Sequence, residues 1–245
     1  MAHSDFTGMK QIAILGLGHF GKSILDELLE LNVDVLIVDK DRDLIDSYKD
    51  DPVSAVALDI LTVETLRSVL PDSIDVVIID LGGKIEASVL ATSYCAKLNI
   101  KSIIVKAETA THGEILELVG ATKVVFPNRE AAKRISPLLL SASMLSYLPV
   151  SEGLAIAEFS IPEPFFGKTL IETELRKKYR LNLLSVRTGD AEYRVCEPSY
   201  VFRDGDIGLF YGGGDALRKF SGSRIGENHP QGNFVAKILK SLRGR

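Results

Sequence analysis

The stretch Gly16-Leu17-Gly18-His19-Phe20-Gly21 constrains the fold of this chain more than any other. It follows directly on the apolar run at residues 11–15. A helical pattern comes next, and a second apolar run, residues 33–38, then ends at Asp39. Strand, glycine turn, helix, strand and terminal acid form the first half of a nucleotide-binding α/β domain. The three glycines serve different ends. Gly16 permits the tight turn, Gly18 lets phosphate approach the backbone, and Gly21 lets helix pack on strand. The helix N-terminus offers N–H groups and partial positive charge to phosphate. Asp39 can accept hydrogen bonds from ribose hydroxyls. His19 and Phe20 within the turn, and Lys40 beside the acid, join the candidate cofactor-binding set.

The 245 residues are enough for one large or two modest domains. Candidate strands at 11–15, 33–38, 53–58, 74–79, 101–105 and 122–125 alternate with helical patterns near 20–31, 41–49, 62–70, 84–98 and 109–119. Strands that are apolar on both faces, such as Val76-Val77-Ile78-Ile79, suit a parallel sheet covered by helices on both sides. Right-handed crossovers make this a Rossmann-like, doubly wound parallel sheet. Ligand is expected at the C-terminal ends of its strands, where the winding reverses. A net charge of -4 gives no reason to expect nucleic-acid binding. No apolar run approaches the roughly 20 residues that span a bilayer, and the N-terminus lacks the apolar core of a signal peptide. With two separated cysteines, Cys95 and Cys196, in structural settings, the expected compartment is the cytosol.

Beyond the sheet, Asn128 is placed to cap a long helix reaching about Tyr147, which Pro137 kinks or splits. Its stretch 135–148 is apolar nearly all round, so it is either buried or covered by another subunit. The grammar changes from Val150. Strand patterns at 154–161, 181–187, 192–196 and 207–211, with a short helix near 170–178, indicate a small α+β domain. A polar linker from Ser221 then leads into a basic amphipathic tail carrying Phe234, Ile238 and Leu242 on one face. Such a tail can dock on a partner or an anionic membrane surface, or pack on its own protein. The boundaries read as a tail at 1–9, a nucleotide-binding domain at 10–127, crossover and dimerisation helices at 128–149, a C-terminal domain at 150–220, and linker and tail at 221–245.

Other motifs carry weaker signals. Gly167-Lys168-Thr169 imitates the end of a P-loop, but Pro162 stands where the first glycine belongs, and prolines have no N–H for phosphate. Thr169 reads as a helix cap instead. Asp59, followed by Ile60, ends the third strand and either contacts an adenine amino group or caps the next helix, a role for which Thr62 competes. Asp80-Leu81-Gly82 ends the fourth strand where backbone can approach a ligand. Lys106 ends the fifth strand within reach of phosphate. Glu130 lies in a first helical turn, where it complements the dipole or serves a ligand. Histidines at 3, 19, 112 and 229 have no metal-ligand spacing. No residue set suggests a catalytic nucleophile.

Together these residues resemble the cytoplasmic regulatory subunit of bacterial Trk/Ktr potassium-uptake systems, the RCK or TrkA family. The likeness runs through Ile-Ala-Ile-Leu-Gly-Leu-Gly-His-Phe-Gly, Leu-Ile-Val-Asp39, Ala57-Leu-Asp59, Asp75-Val-Val-Ile-Ile-Asp-Leu-Gly82, Ile104-Val-Lys106 and Gly120-Ala-Thr-Lys-Val-Val-Phe-Pro127. Phe166-Gly-Lys-Thr-Leu170 and Asp204-Gly-Asp206 extend it into the C-terminal domain. The resemblance implies an N-terminal domain that binds ADP or ATP, or else NAD(H) or AMP, without turning it over. It implies dimers assembling to an octameric ring, docked on the inner face of a membrane potassium-translocating subunit. It also implies a cyclic di-AMP site in some C-terminal domains, whose matching positions here are near Leu183, Leu184, Arg187 and Pro198.

Two positions depart from the family pattern. His19 stands where an arginine often reaches the terminal phosphate of ATP, and Asn128 stands where a glutamate often lies near the phosphates and a cation. ATP-specific sensing with a divalent cation therefore loses its residues, whereas ADP, AMP and NAD still fit. Asp39 disfavours a 2′-phosphate and hence NADP. Two alternatives stand beside this reading: an NAD-dependent oxidoreductase, which needs groups around the nicotinamide that the sequence does not display, and a soluble nucleotide sensor for another transporter.

Overall fold

The computed structural model describes residues 10–49, 53–60 and 62–221. The chain divides into two compact units, one reaching to Asn128 and one starting at Arg129.

The first unit alternates strand and helix: β1 (Ile12–Leu15), α1 (His19–Glu30), β2 (Val35–Asp39), α2 (Arg42–Asp46), β3 (Val53–Ala57), α3 (Val63–Val69), β4 (Val76–Ile79), α4 (Ile85–Lys97), β5 (Ser102–Lys106), α5 (Ala110–Leu118) and β6 (Lys123–Val125). All neighbouring strands pair in parallel, in the order β3-β2-β1-β4-β5-β6. One sheet face buries Ile14, Ile37 and Ile78 with Leu25 of α1. The other buries Ala13, Leu15, Val77, Ile79 and Val105 with Leu66, Ala91 and Leu116. This two-sided burial explains why the strands read as unbroken apolar runs. Side-chain caps start three helices: Asp41 accepts from Leu44 N at 3.2 Å, Thr62 from Thr65 N at 3.1 Å and Thr109 from His112 N at 3.1 Å. The winding reverses between β1 and β4, which pair Leu15 with Ile79. The C-terminal ends of those two strands are therefore the switch point.

The second unit is an antiparallel sheet, ordered β7-β8-β10-β9. Its elements are α6 (Pro127–Ile135), which starts at the boundary, then a 3-10 turn Leu138–Leu140, β7 (Met144–Ser151), β8 (Leu154–Ser160), α7 (Leu170–Thr173), α8 (Leu175–Tyr179), β9 (Leu181–Thr188), β10 (Asp206–Gly212) and α9 (Gly214–Phe220). An aromatic core holds it together. Phe159 meets the edges of Phe210 and Phe220 at 5.6 and 5.4 Å between ring centroids, a favoured geometry for ring pairs.

Here the structure corrects three expectations. The helix begun at Pro127 does not run to Tyr147: it stops at Ile135, and residues 144–151 are strand. The residue before a proline is driven out of the helical region, and Pro137 has no N–H to continue the ladder. Ser141 Oγ then accepts from Met144 N at 3.1 Å and turns the chain into β7. Pro149 is tolerated within β7 because β7 is an edge strand. The expected strand at 192–196 reduces to one bridge, Val186 with Arg194. The helix near 170–178 is broken at Glu174, whose φ is +48°. The expected basic tail lies outside the described residues.

Candidate nucleotide-binding site

The glycine turn folds as its residues dictate. Gly16 adopts φ +87°, and a Cβ there would stand 2.3 Å from the Asp80 carbonyl oxygen. A Cβ on Gly21 would stand 2.5 Å from Gly16 O, so α1 packs against the turn only through glycine. β1 runs into the turn, and α1 begins at His19 directly after it.

Around this turn the sheet ends open into a cleft of about 530 Å³. Of the residues expected from the sequence, Gly18, Asp39, Lys40, Asp59, Ile60, Asp80, Leu81 and Gly82 all line it. They come from the turn and from the ends of β2, β3 and β4, so the topology brings together residues scattered over the first third of the chain. Asp39 Oδ2 accepts from Leu17 N at 2.7 Å and Oδ1 from Asp41 N at 2.9 Å. These bonds fix its carboxylate at the mouth of the cleft, each oxygen keeping acceptor capacity. Asp59 is exposed, and Thr62 caps α3. The capping alternative for Asp59 is thereby closed.

Other expected residues lie around the cleft without lining it. Gly16 and Gly21 form the turn's underside. Phe20 packs, partly buried, in the core on the α1 side. His19 is exposed in the first turn of α1. Lys106 faces inward: its Nζ stands 3.3 Å from Asp80 Oδ1 and 2.9 Å from Glu108 Oε1. Burial pulls its pKa down, but the Glu108 hydrogen bond and the Asp80 charge outweigh this and leave it above the ordinary lysine value. Glu130 is exposed in the first turn of α6. It belongs to the second unit and is not among the residues lining the cleft.

Sequence reasoning missed Lys84 and Asp41, which also line the cleft. Asp41 was findable as the acid opening α2. Lys84 carried no local signal. It lies close enough to Lys40 that the neighbouring ammonium, more than burial, holds its pKa below the ordinary lysine value. His112 is buried, its Nε2 2.8 Å from Ser88 Oγ, while Glu108 N donates to Nδ1 at 3.3 Å. With Nδ1 accepting, the proton sits on Nε2. Burial depresses its pKa, only partly offset by Glu108. A second cavity of about 600 Å³ lies at the opposite ends of β1–β3. Its walls are strand starts and the end of α3, without a glycine turn, so it lacks the features of a nucleotide site.

In the second unit, Leu183 packs on the aromatic core while Leu184 is 41% exposed at a β-bulge in β9. Arg187 lies 4.0 Å from Glu158 and 5.3 Å over the Tyr193 ring. The Pro198 carbonyl accepts from Ile171 N at 3.2 Å. The P-loop imitation is structural: Gly167 N donates to Phe202 O at 2.9 Å, and Thr169 and Glu172 form a reciprocal cap of α7.

Comparison with known proteins follows the same lines. The TrkA-N domain family matches residues 12–127. The chain is 34% identical over 180 residues to Ktr system potassium uptake protein C of Bacillus subtilis (strain 168), covering 74% of this chain and 81% of that protein. It is 30% identical over 211 residues to Ktr system potassium uptake protein A of Vibrio alginolyticus, covering 86% and 96%. Among solved structures, the GsuK RCK domain superposes with a TM-score of 0.62 at 19% identity, over 91% of this chain and 49% of that one. The GsuK channel bound to NAD gives 0.60 at 20% identity, over 91% and 40%. The chain thus spans half or less of the GsuK chains, and that likeness concerns the fold. Glycine turn, switch-point cleft and near-full-length similarity converge: this chain belongs to the Ktr/TrkA family of RCK-type potassium-uptake regulatory subunits.

Proposed function

We propose that this chain is the cytoplasmic, nucleotide-sensing regulatory subunit of a membrane potassium channel or transporter. The observation that carries the reading is the cleft at the strand switch point, which Asp39 and Asp59 border from neighbouring strand ends. The ligand class is an adenine nucleotide: ADP or ATP, NAD(H), or AMP. The ribose hydroxyls donate to Asp39, Asp59 meets the adenine amino group, and Lys40 and Lys84 stand at the rim as cationic partners. Binding is regulatory rather than catalytic. His112, the buried histidine of this unit, has both ring nitrogens engaged by Ser88 and the Glu108 backbone, which leaves neither for a substrate carbonyl.

In this reading chains dimerise and assemble into a ring, octameric as in the family pattern, on the inner face of the translocating subunit. The exposed apolar residues Ile135, Leu139 and Leu140 suit subunit contact. A site for cyclic di-AMP in the second unit would use Leu183, Leu184, Arg187 and Pro198, with Arg187 over Tyr193 as its cationic edge. A nucleotide shifts the ring only through differential affinity for its two shapes. The test is potassium flux through the reconstituted membrane subunit, with and without this chain, across an adenine-nucleotide series. The reading expects flux to depend on both protein and nucleotide. Flux indifferent to the chain at saturating nucleotide would refute it.

A further inference from the structure

We propose that Asp80 sets the phosphate preference of this cleft by occupying the phosphate seat itself. The inference rests on the nucleotide-binding reading above. In a glycine-turn domain, the first N–H groups of α1 have no partners within the helix and await an anion. In this chain they already have one. Asp80 Oδ2 accepts from Phe20 N at 2.9 Å and from Gly21 N at 3.0 Å. Its Oδ1 accepts from Gly82 N at 3.3 Å and pairs with Lys106 Nζ at 3.3 Å.

The backbone of Asp80 is fixed as well, its N–H donating to Leu15 O at 2.9 Å as the β1–β4 ladder continues. The side chain is wholly buried. A Cβ built on Gly18 would fall 2.3 Å from Asp80 Oδ2. The glycine that opens backbone to a phosphate in such turns thus opens it here to an internal carboxylate.

An added phosphate meets two obstacles. It must displace a buried, ion-paired carboxylate, which would cost Asp80 its amide donors and its pairing with Lys106. Otherwise it must sit beside a like charge at short range. Neither obstacle involves Asp39 or Asp59, which line the cleft from the ends of β2 and β3 and make no hydrogen bond to the α1 amides that Asp80 holds. Asp80 is therefore a specificity-determining residue: recognition comes from adenosine, and each phosphate bound at the turn weakens it.

The experiment titrates adenosine, AMP, ADP and ATP into the full-length wild type and into Asp80→Ala and Asp80→Asn. Melting temperature and oligomer size confirm that each variant is folded. Wild type is expected to bind adenosine at least as tightly as ADP. Asp80→Ala, which bares the α1 amides and leaves Lys106 paired with Glu108 alone, is expected to shift the preference toward ADP by about tenfold or more. Asp80→Asn keeps the acceptor oxygen but not the charge, so it shifts the preference the same way by less; it decides the matter if the alanine variant does not fold. A wild type that favours ADP, with the same ladder in the folded variants, overturns the inference and leaves the nucleotide reading standing. Absence of binding by every adenosine ligand to every protein overturns the nucleotide reading, and the inference with it.

Discussion

Two glycines of the first unit stand in opposite circumstances. Gly16 is strained territory for any other residue: its φ is +87°, and a Cβ would collide with backbone at 2.3 Å. Gly83 has nothing within 4 Å of a Cβ. Gly16→Ala is therefore expected to destabilise the protein by roughly 2–4 kcal/mol. Gly83→Ala should fall within about 0.5 kcal/mol of wild type, on either side. Denaturant unfolding of both separates them. His112 adds a pH signature. Burial holds its folded-state pKa below the unfolded value of 6.5. The unfolded chain therefore takes up the proton first, and stability rises with pH through that window. The contribution is complete above pH 6.5 and is lost progressively below it. His112→Gln should flatten that slope in melting curves recorded from about pH 5 to 8.

At the scale of elements, the sequence displayed the parallel sheet well because its central strands β1 and β4 are apolar on both faces and three of the helices begin at a polar cap. It misled at residues 135–148, where strand and helix compete. Ile135-Ser136-Pro137 ends α6, and residues 138–148 are apolar enough for either state, so local pattern cannot choose. The choice comes from the edge of a sheet formed by β8, a partner later in the chain. The site divides in the same way. Asp39, Asp59 and Gly18 announced themselves at the ends of strands. The seat of Asp80 on α1 depends on residues 60 positions apart, a contact that only the β1–β4 pairing creates. Lys84 was silent for the same reason. Caps, by contrast, are local and legible: Thr169→Ala, which removes the side-chain half of the α7 capping box, should cost about 1 kcal/mol in denaturant unfolding.

For the molecule as a whole, the consequences lie on its surface. Leu139 is 78% exposed, and Ile135 and Leu140 are more than half exposed. Apolar exposure of this kind marks contact between copies in the proposed assembly. Leu139→Glu is expected to lower the oligomer size by light scattering while leaving the monomer's secondary structure intact; an unchanged oligomer would remove this face from the assembly. No helix among the described residues is long and apolar enough to cross a membrane. In the proposed system, transport falls to the partner and sensing to this chain. The most direct test is calorimetric titration of adenine ligands, from adenosine to NAD, into the full-length protein and into Asp39→Asn, which retains an acceptor for Leu17 N. The account predicts saturable binding of at least one adenine ligand at one site per chain, weakened about tenfold or more in the variant. No saturable binding, or binding that Asp39→Asn leaves unchanged, would contradict it.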